Sequence, residues 1–331
     1  MSFNISFVIP TYNCAKVLRA SLAAIREQDY PQDKVEIIVV DGDSTDDTRT
    51  VATEFGALVL DNPEVAHPQG RPIGIRVAKG DLIVCLDSDN ILPERDWLKK
   101  MATPFLDQDV VAAEPLEYSA GPEENPVTRY CSLIGGDDPF VVYLGYNERY
   151  SWLTGKWTGV PVREEDVGGW LKVAFQDAAN LPSLGANGFV VRKSVLQKVQ
   201  FDPFYHMDVS HRIVAEVGGS WAKVKTGVIH RHGDTVVRFI EKKRRRVERR
   251  MDHDVTMHYR YPVTAMKMLP IVLRGLLVLP VFFDAIRGWV RKRDSAWFYH
   301  PVIFFGVFAI YSSTVLRRLF FRAKGREYEK V

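Results

Sequence analysis

Leu82-Ile83-Val84-Cys85-Leu86-Asp87-Ser88-Asp89-Asn90 is the stretch on which the reading of this chain turns. An apolar run of strand length stops at two carboxylates one residue apart. A strand ending this way delivers Asp87 and Asp89 to the rim of a sheet. Two acids held that close repel each other unless a cation lies beside them. Oxygen ligands suit a hard ion such as Mg2+ or Mn2+, which typically also takes oxygens from a substrate phosphate. An ordinary acidic turn after a strand has the same local sequence, so the surroundings decide.

Upstream, Ile5 to Ile9 forms a second apolar run, stopped by Pro10. From Ala15 the period changes, with Val17, Leu18, Leu22 and Ile25 at helical spacing. Val35 to Val40 is a further strand and ends in Asp41-Gly42-Asp43-Ser44. Ser44-Thr45-Asp46-Asp47 supplies helix-capping residues before a helix carrying Val51 and Phe55. Ala57 to Leu60 reads as a strand, and a helix around Pro72 to Ala78 leads back to Leu82. Strands alternating with helices imply a mostly parallel, Rossmann-like α/β sheet with ligands bound beyond the carboxyl ends of its strands. Thr11-Tyr12-Asn13, Asp41-Gly42-Asp43 and Asp87-Ser88-Asp89 all fall on that edge. No G-x-G-x-x-G follows the first strand and no Gly-Lys-Ser/Thr phosphate loop occurs, which speaks against a dinucleotide dehydrogenase or a P-loop enzyme.

Three segments, Val8-Ile9-Pro10-Thr11-Tyr12-Asn13, Val40 to Thr48, and Ala78-Lys79-Gly80-Asp81 leading to Leu86-Asp87-Ser88-Asp89-Asn90, resemble in order and spacing the family-2 glycosyltransferases of the A-type (GT-A) fold. The resemblance covers about the first 235 residues, most closely the first 100. It implies a nucleotide-diphosphate sugar donor, a Mg2+ or Mn2+ cofactor and inversion at the anomeric carbon. By position it puts Pro10, Thr11 and Asn13 in the nucleotide pocket, Asp41 (or Asp43) on base or ribose, and Arg71 near base and phosphates. Asp87 with Ser88 would face the ribose and Asp89 would hold the metal. For Arg71 a plain helix-start role, and for Asp43 simple turn chemistry, stay open beside these.

Ser119 to about Pro182 is rich in Gly, Pro and aromatic residues and has no clear period; it reads as acceptor-side loops or an aromatic helical subdomain. Asp138, in Asp137-Asp138, is a candidate acceptor contact. Leu184-Gly185-Ala186-Asn187-Gly188 is a tight turn before a strand, and the resemblance sets it, with Asn187, beneath the sugar. Where the family usually has Glu-Asp at a helix start, this chain has Met207-Asp208. Asp208 still matches the catalytic base; the bland alternative is an N-cap aspartate. Val228-Ile229-His230-Arg231-His232 places two histidines on one face if it is a strand. The resemblance makes either His230 or His232 a metal ligand, against simple hydrogen-bonding roles.

The net charge is +3, but the last third is strongly basic. Arg238 to Arg250 reads as a basic helix beside a membrane, with Arg245 and Arg246 standing for contacts to headgroups or phosphates. A solvated face is the alternative, and no nucleic-acid motif accompanies it. Trp297 to Leu316 contains no charged residue and at ~1.5 Å per residue reaches roughly the thickness of a bilayer core. Met268 to Phe283 is apolar but interrupted by Pro270, Arg274 and Pro280, and suits an in-plane or re-entrant helix. Arg291-Lys292-Arg293 and the later Arg317, Arg318, Arg322, Lys324 and Arg326 place both flanks on the cytoplasmic side. A buried helical bundle or dimer surface is the competing reading. Cys14, Cys85 and Cys131 form no metal or disulfide spacing, and the N-terminus lacks signal-peptide features.

The expectation is therefore a GT-A domain in two halves, 1–118 for the nucleotide-sugar and 119–235 for the acceptor, followed by membrane-associated helices over 236–331. The activity expected is metal-dependent sugar transfer to a polyprenyl-(di)phosphate-linked glycan at the cytoplasmic membrane face, with membrane lipids as partners and no nucleic acid. The alternatives are a non-catalytic nucleotide-sugar-binding scaffold and a transferase acting on a non-lipid polysaccharide.

Overall fold

The computed structural model describes residues 2–65, 67–233, 235–252 and 258–323. The chain divides into two compact units: residues 1–119, 160–231 and 259–261, and residues 120–159, 232–258 and 262–331. Elements are numbered along the whole chain.

In the first unit the strands are β1 (Ile5–Thr11), β2 (Val35–Asp41), β3 (Leu58–Asp61), β4 (Leu82–Cys85), β5 (Asn90–Ile91), β6 (Val110–Tyr118), β7 (Val162–Asp166), β8 (Trp170–Phe175), β9 (Phe189–Arg192) and β10 (Ser220–His230). Its helices are α1 (Ala15–Arg26), α2 (Thr48–Glu54), α3 (His67–Val77), α4 (Trp97–Ala102), α7 (Lys193–Leu196) and α8 (His206–Arg212). The sheet runs β3-β2-β1-β4-β9-β6-β10-β8-β7, with β5 pairing β10 off this path. β3, β2, β1 and β4 are mutually parallel, as their helical crossovers require, and β6 is parallel to β10. β9 enters antiparallel between β4 and β6, and β8 and β7 finish the sheet antiparallel.

β1 is buried along its whole length, so it reads as a continuous apolar run rather than an alternation. One core packs Phe7, Ile9, Leu22, Ile37, Val84 and Trp97 between the sheet and α1, α2 and α4. The Trp97 indole N–H donates to the Gly227 carbonyl at 2.7 Å, satisfying the polar end of a fully buried ring. Gly74 lets α3 lie close on the sheet: a Cβ there would stand 2.6 Å from Val8 Cγ1.

The second unit contains α5 (Pro126–Ile134), α6 (Pro139–Tyr143), α9 (Val236–Asp252), α10 (Ala265–Leu277), α11 (Leu279–Arg291) and α12 (His300–Ala323). The segment 120–159 thus clusters with the C-terminal helices, whereas 160–231 clusters with the N-terminal strands. Its core joins Tyr130, Phe140, Leu153, Trp297, Phe304 and Val307. Of the aromatic residues in the stretch read as loop or subdomain, Tyr130 and Phe140 lie in this core and Tyr143 and Trp152 pack against it. Lys324 and Arg326 of the terminal basic cluster lie outside the described residues.

Candidate functional site

The polar strand ends meet because of register. Thr11 on β1 stands opposite Asp41 on β2, and Val8 opposite Cys85 on β4. The residues after Cys85 therefore leave the sheet at the edge where β1 and β2 end.

Asp41 is fully buried and its two oxygens are heavily used. Oδ1 accepts from the Thr11 and Ser44 hydroxyls at 2.8 and 2.6 Å. Oδ2 accepts from the Ser44 N–H at 2.9 Å and has the Arg49 guanidinium at 3.5 Å. This carboxylate builds the loop between β2 and α2. Asn13, at φ +44°, ties β1 to the same loop: its N–H donates to the Ser44 hydroxyl at 2.8 Å and its Oδ1 accepts from the Thr45 N–H at 2.8 Å. Pro10 is buried in β1 opposite Val40, and Asp43 takes a left-handed φ of +63°, a turn conformation that Asp tolerates.

Arg71 is nearly buried on α3 and forms an ion pair with Asp87. Pro72 sits inside that helix and has no N–H to give the carbonyl four residues back. That carbonyl, on Pro68, instead accepts from the Phe204 N–H at 2.8 Å. The Phe204 ring then lies under the Arg71 guanidinium, 5.6 Å from ring centre to Cζ. A helix-interior proline thus links α3 and the Arg71–Asp87 pair to the segment preceding α8.

Asp87, Asp89 and His230 each offer a ligand atom, all within 4.8 Å of one another. His230 is the last residue of β10, paired across to Asn90, and its Nε2 is 3.6 Å from Asp89 Oδ1. The Arg231 N–H donates to the Asp89 carbonyl at 3.0 Å, fixing the loop against the strand end. Two carboxylates and an imidazole, half-buried, fit a divalent ion that accepts mixed oxygen and nitrogen ligation, such as Mn2+. Ser88 is buried between the two acids. The Cys85 thiol just before them is pushed up to about 11 by burial, so it stays protonated and acts as core.

The alternation that would set His232 beside His230 fails because β10 ends at His230. His232 falls in the second unit, where its N–H donates to Thr128 Oγ1 at 2.9 Å and its ring packs edge-on to Phe239.

The turn before β9 lies beside the acidic strand end, since the Gly188 N–H donates to the Cys85 carbonyl at 3.1 Å. Asn187, at φ +40°, donates to the Tyr118 hydroxyl at 2.7 Å. Gly185, at φ +85°, abuts the start of α8: a Cβ there would meet Ser210 Oγ at 2.6 Å and the His206 carbonyl at 2.8 Å. Its N–H donates at 2.6 Å to Glu114, a fully buried carboxylate paired with Lys223 at 2.6 Å. Asp208 lies in the first turn of α8, behind the Tyr205 N-cap, and is 5 % exposed. Met207 is buried and its sulfur accepts from the Leu184 N–H at 3.0 Å, so this side chain packs the interior under the turn.

Two residues had no sequence signal. Tyr259, far along the chain, donates its backbone N–H to Asp208 Oδ1 at 2.8 Å, and its hydroxyl bonds both the N–H and the carbonyl of Leu181 at 2.6 and 3.0 Å. Tyr261 pairs its hydroxyl with that of Ser183 at 2.6 Å.

In the second unit Asp138 caps α6, accepting from the Phe140 N–H at 2.9 Å, and also binds the Tyr311 hydroxyl and the Lys243 ammonium. Arg246 is on Asp137 at 2.6 Å, and Arg245 is on the exposed face of α9.

A mixed α/β sheet whose parallel run ends in an Asp-x-Asp segment beside a histidine defines a GT-A-like fold. The comparisons agree. Residues 6–156, somewhat under half of the chain, match the family model Glycosyl transferase family 2. Glycosyltransferase AglE of Haloferax volcanii is 30% identical over 102 residues, covering 29% of this chain and 33% of that protein. A Methanococcus voltae protein named dolichyl N-acetyl-alpha-D-glucosaminyl phosphate 3-beta-D-2,3-diacetamido-2,3-dideoxy-beta-D-glucuronosyltransferase is 32% identical over 102 residues, 29% of this chain and 32% of its own. The matched stretch thus spans about a third of those relatives. The solved mannosyltransferase PcManGT of Pyrobaculum calidifontis, in complex with GDP-Man and Mn2+, superposes with a TM-score of 0.53 at 16% identity, covering 95% of this chain and 88% of that one. That likeness speaks for the fold alone. Residues 6–156 are thus similar to glycosyl transferase family 2, and the relatives they match over part of their length are glycosyltransferases.

Proposed function

We propose that the chain moves a sugar from a nucleotide-diphosphate donor to a hydroxyl of a polyprenyl-(di)phosphate-linked glycan, with inversion, at the cytoplasmic face of a membrane. The observation that carries this reading is the run of contacts joining the Asp87–Asp89–His230 cluster, through the turn before β9, to Asp208. The acidic strand end and the start of α8, which carries Asp208, both abut the turn before β9.

Thr11, Asn13 and the Asp41-built loop form the floor for the nucleotide. Asp89 and His230, with Asp87, are the residues that would hold Mn2+ or Mg2+. Such an ion, when bound, neutralises charge growing on the departing diphosphate. Arg71 adds a fixed cation beside Asp87 on the same side. Asp208 removes the proton from the acceptor hydroxyl as the new glycosidic bond forms, because a neutral hydroxyl is a poor nucleophile. The Tyr259 N–H on Asp208 Oδ1 holds the carboxylate that would take that proton. A bare lipid phosphate is already ionised and needs no base, so a retained aspartate favours a sugar hydroxyl. The lipid carrier is supported by the apolar C-terminal helices and by the Methanococcus voltae relative, whose printed name specifies a dolichyl-phosphate-linked acceptor.

The test is a donor screen reading released nucleoside diphosphate in the presence of native membrane lipid extract, with and without EDTA. Release that needs both extract and divalent metal is expected. Donor binding without release under any acceptor condition would instead favour the non-catalytic scaffold, and release with water-soluble glycans alone would favour a polysaccharide acceptor.

A further inference from the structure

Among its described residues the second unit has one helix long and apolar enough to cross a bilayer, and a bent pair of helices that would be so only if joined. These do not have equivalent surroundings.

α12, the long one, packs one face into the core of its unit and leaves Val302, Val315 and Leu316 exposed. Ile303, Phe304 and Val307 are fully buried. Two of its polar groups are held inside: His300 is fully buried between the Tyr130 and Tyr143 hydroxyls at 2.8 and 2.9 Å, and Tyr311 donates to the Asp138 carboxylate. Asp138 shares the Lys243 ammonium with Asp137, and Arg246 joins the same cluster. α9, which carries Lys243 and Arg246 in a run of Arg and Lys, lies directly on α12: a Cβ on Gly306 would stand 2.5 Å from Ile240 Cδ1. Threading α12 through a bilayer would draw these ion pairs and a highly charged helix into hydrocarbon.

α10 and α11 differ. Each has 13 residues, about 20 Å at ~1.5 Å per residue, too short to cross a core of roughly 30 Å. They meet at Val278, φ +63°, with a bend of 99°. Their inward faces are covered, with Ile271, Val281 and Ala285 buried. Their outward faces are apolar and bare: Met266 is 85 % exposed, Leu276 68 %, Leu279 and Phe283 66 %, with Leu273 and Ile286 continuing the stripe at helical spacing. Asp284 is the one acidic residue from Pro262 to Arg293, and it is occupied by Tyr143 and Arg274. Lys267, Arg287, Arg291, Lys292 and Arg293 flank the stripe. An exposed apolar stripe edged by cations complements an anionic lipid surface. A second copy of this chain would bring the same positive charge.

We propose that the chain is held on one leaflet of an anionic membrane by the bent α10–α11 pair, which lies in the interface, while α12 stays on the aqueous side with one face in the core of the helical unit. The inference rests on the membrane-associated reading above and specifies its geometry.

The test uses the full-length protein with vesicles of phosphatidylcholine, with and without phosphatidylglycerol. Phe283→Cys and Val315→Cys, each at an exposed position, are treated with a membrane-impermeant maleimide after binding, against the parent protein, whose Cys85 and Cys131 are buried. Position 283 should become protected only on vesicles containing phosphatidylglycerol, and position 315 should stay reactive. Protection of both positions would overturn the one-leaflet geometry while leaving membrane association standing. Failure to bind either vesicle would overturn both. As an independent arm, Leu276→Glu with Phe283→Glu should lower vesicle partitioning by at least about tenfold without moving the melting temperature; unchanged partitioning would overturn the role of this face.

Discussion

The backbone N–H of Tyr259 donates to Asp208 Oδ1 at 2.8 Å, across 51 residues of chain, and so fixes one oxygen of the proposed base. Asp208→Asn keeps a side-chain oxygen for that bond while removing the basic group. Turnover should fall by about 10²–10⁴-fold, with nucleotide affinity measured by titration calorimetry unchanged. Turnover within a few-fold of the parent would remove Asp208 from the chemistry.

The same tyrosine permits a separate prediction. Tyr259→Phe leaves the backbone bond to Asp208 intact but strips the hydroxyl from the buried Leu181 N–H and carbonyl. Orphaned buried backbone groups cost about 1–3 kcal/mol each. The expected result is a lower melting temperature and a raised acceptor KM, with the nucleotide Kd preserved. A proportional loss of nucleotide binding would show that the hydroxyl supports the whole domain rather than the loop around Leu181.

At the metal cluster, Asp89→Ala and His230→Ala should both weaken Mn2+ binding, the aspartate more because it removes a formal charge as well as a ligand. His232→Ala should leave it unaltered, since the cluster consists of Asp87, Asp89 and His230. Mn2+ titration followed by electron paramagnetic resonance, in the presence of nucleoside diphosphate, checks all three. Equal losses for His230 and His232 would count against the cluster.

What was legible in the sequence was whatever repeats with a local period. β1, β2 and β4 are buried on both faces and read as continuous apolar runs, and their polar ends follow from where the runs stop. The region 119–182 was illegible for a physical reason: it divides between units, with α5 and α6 packing on helices more than 100 residues later and β7 and β8 extending the first sheet. The basis for choosing between the histidines was a strand end, a boundary that pattern alone does not fix. Tyr259 and Tyr261 carry no motif, and their role appears only once the chain has folded back. Lys223, in a stretch given no element from the sequence, was likewise silent.

Lys223 and Glu114 form a buried pair in the middle of the sheet, and Glu114 also accepts from the Gly185 N–H. Lys223→Met leaves a carboxylate buried without its cation, a defect of about 3–5 kcal/mol. Adding Glu114→Gln should recover part of that loss, because the neutral amide still offers an oxygen to Gly185. Chemical denaturation of the two variants provides the measurement. A double variant no more stable than Lys223→Met would mean that packing, not charge, dominates at this position.

The ion-pair cluster of the helical unit sets a pH dependence. Burial alone would raise the Asp137 carboxyl, but the Lys243 ammonium and the Arg246 guanidinium hold it well below the ordinary carboxylate value. A depressed carboxylate stabilises the folded state above its unfolded pKa, near ~3.9, and that contribution drains away as pH falls from there towards the folded value. Lys243 shows the opposite sign: burial would lower it, but Asp137 and Asp138 raise it above its ordinary value. Its contribution persists below the unfolded lysine pKa of ~10.4 and is lost as pH climbs through the folded one. The melting temperature should therefore hold through neutral pH and fall below about pH 4 and above about pH 10.4. Asp137→Asn should lower the plateau and flatten the acid limb, because the substituted side chain has no proton to take up. An acid limb as steep in that variant as in the parent would place the responsible carboxylates elsewhere in the chain.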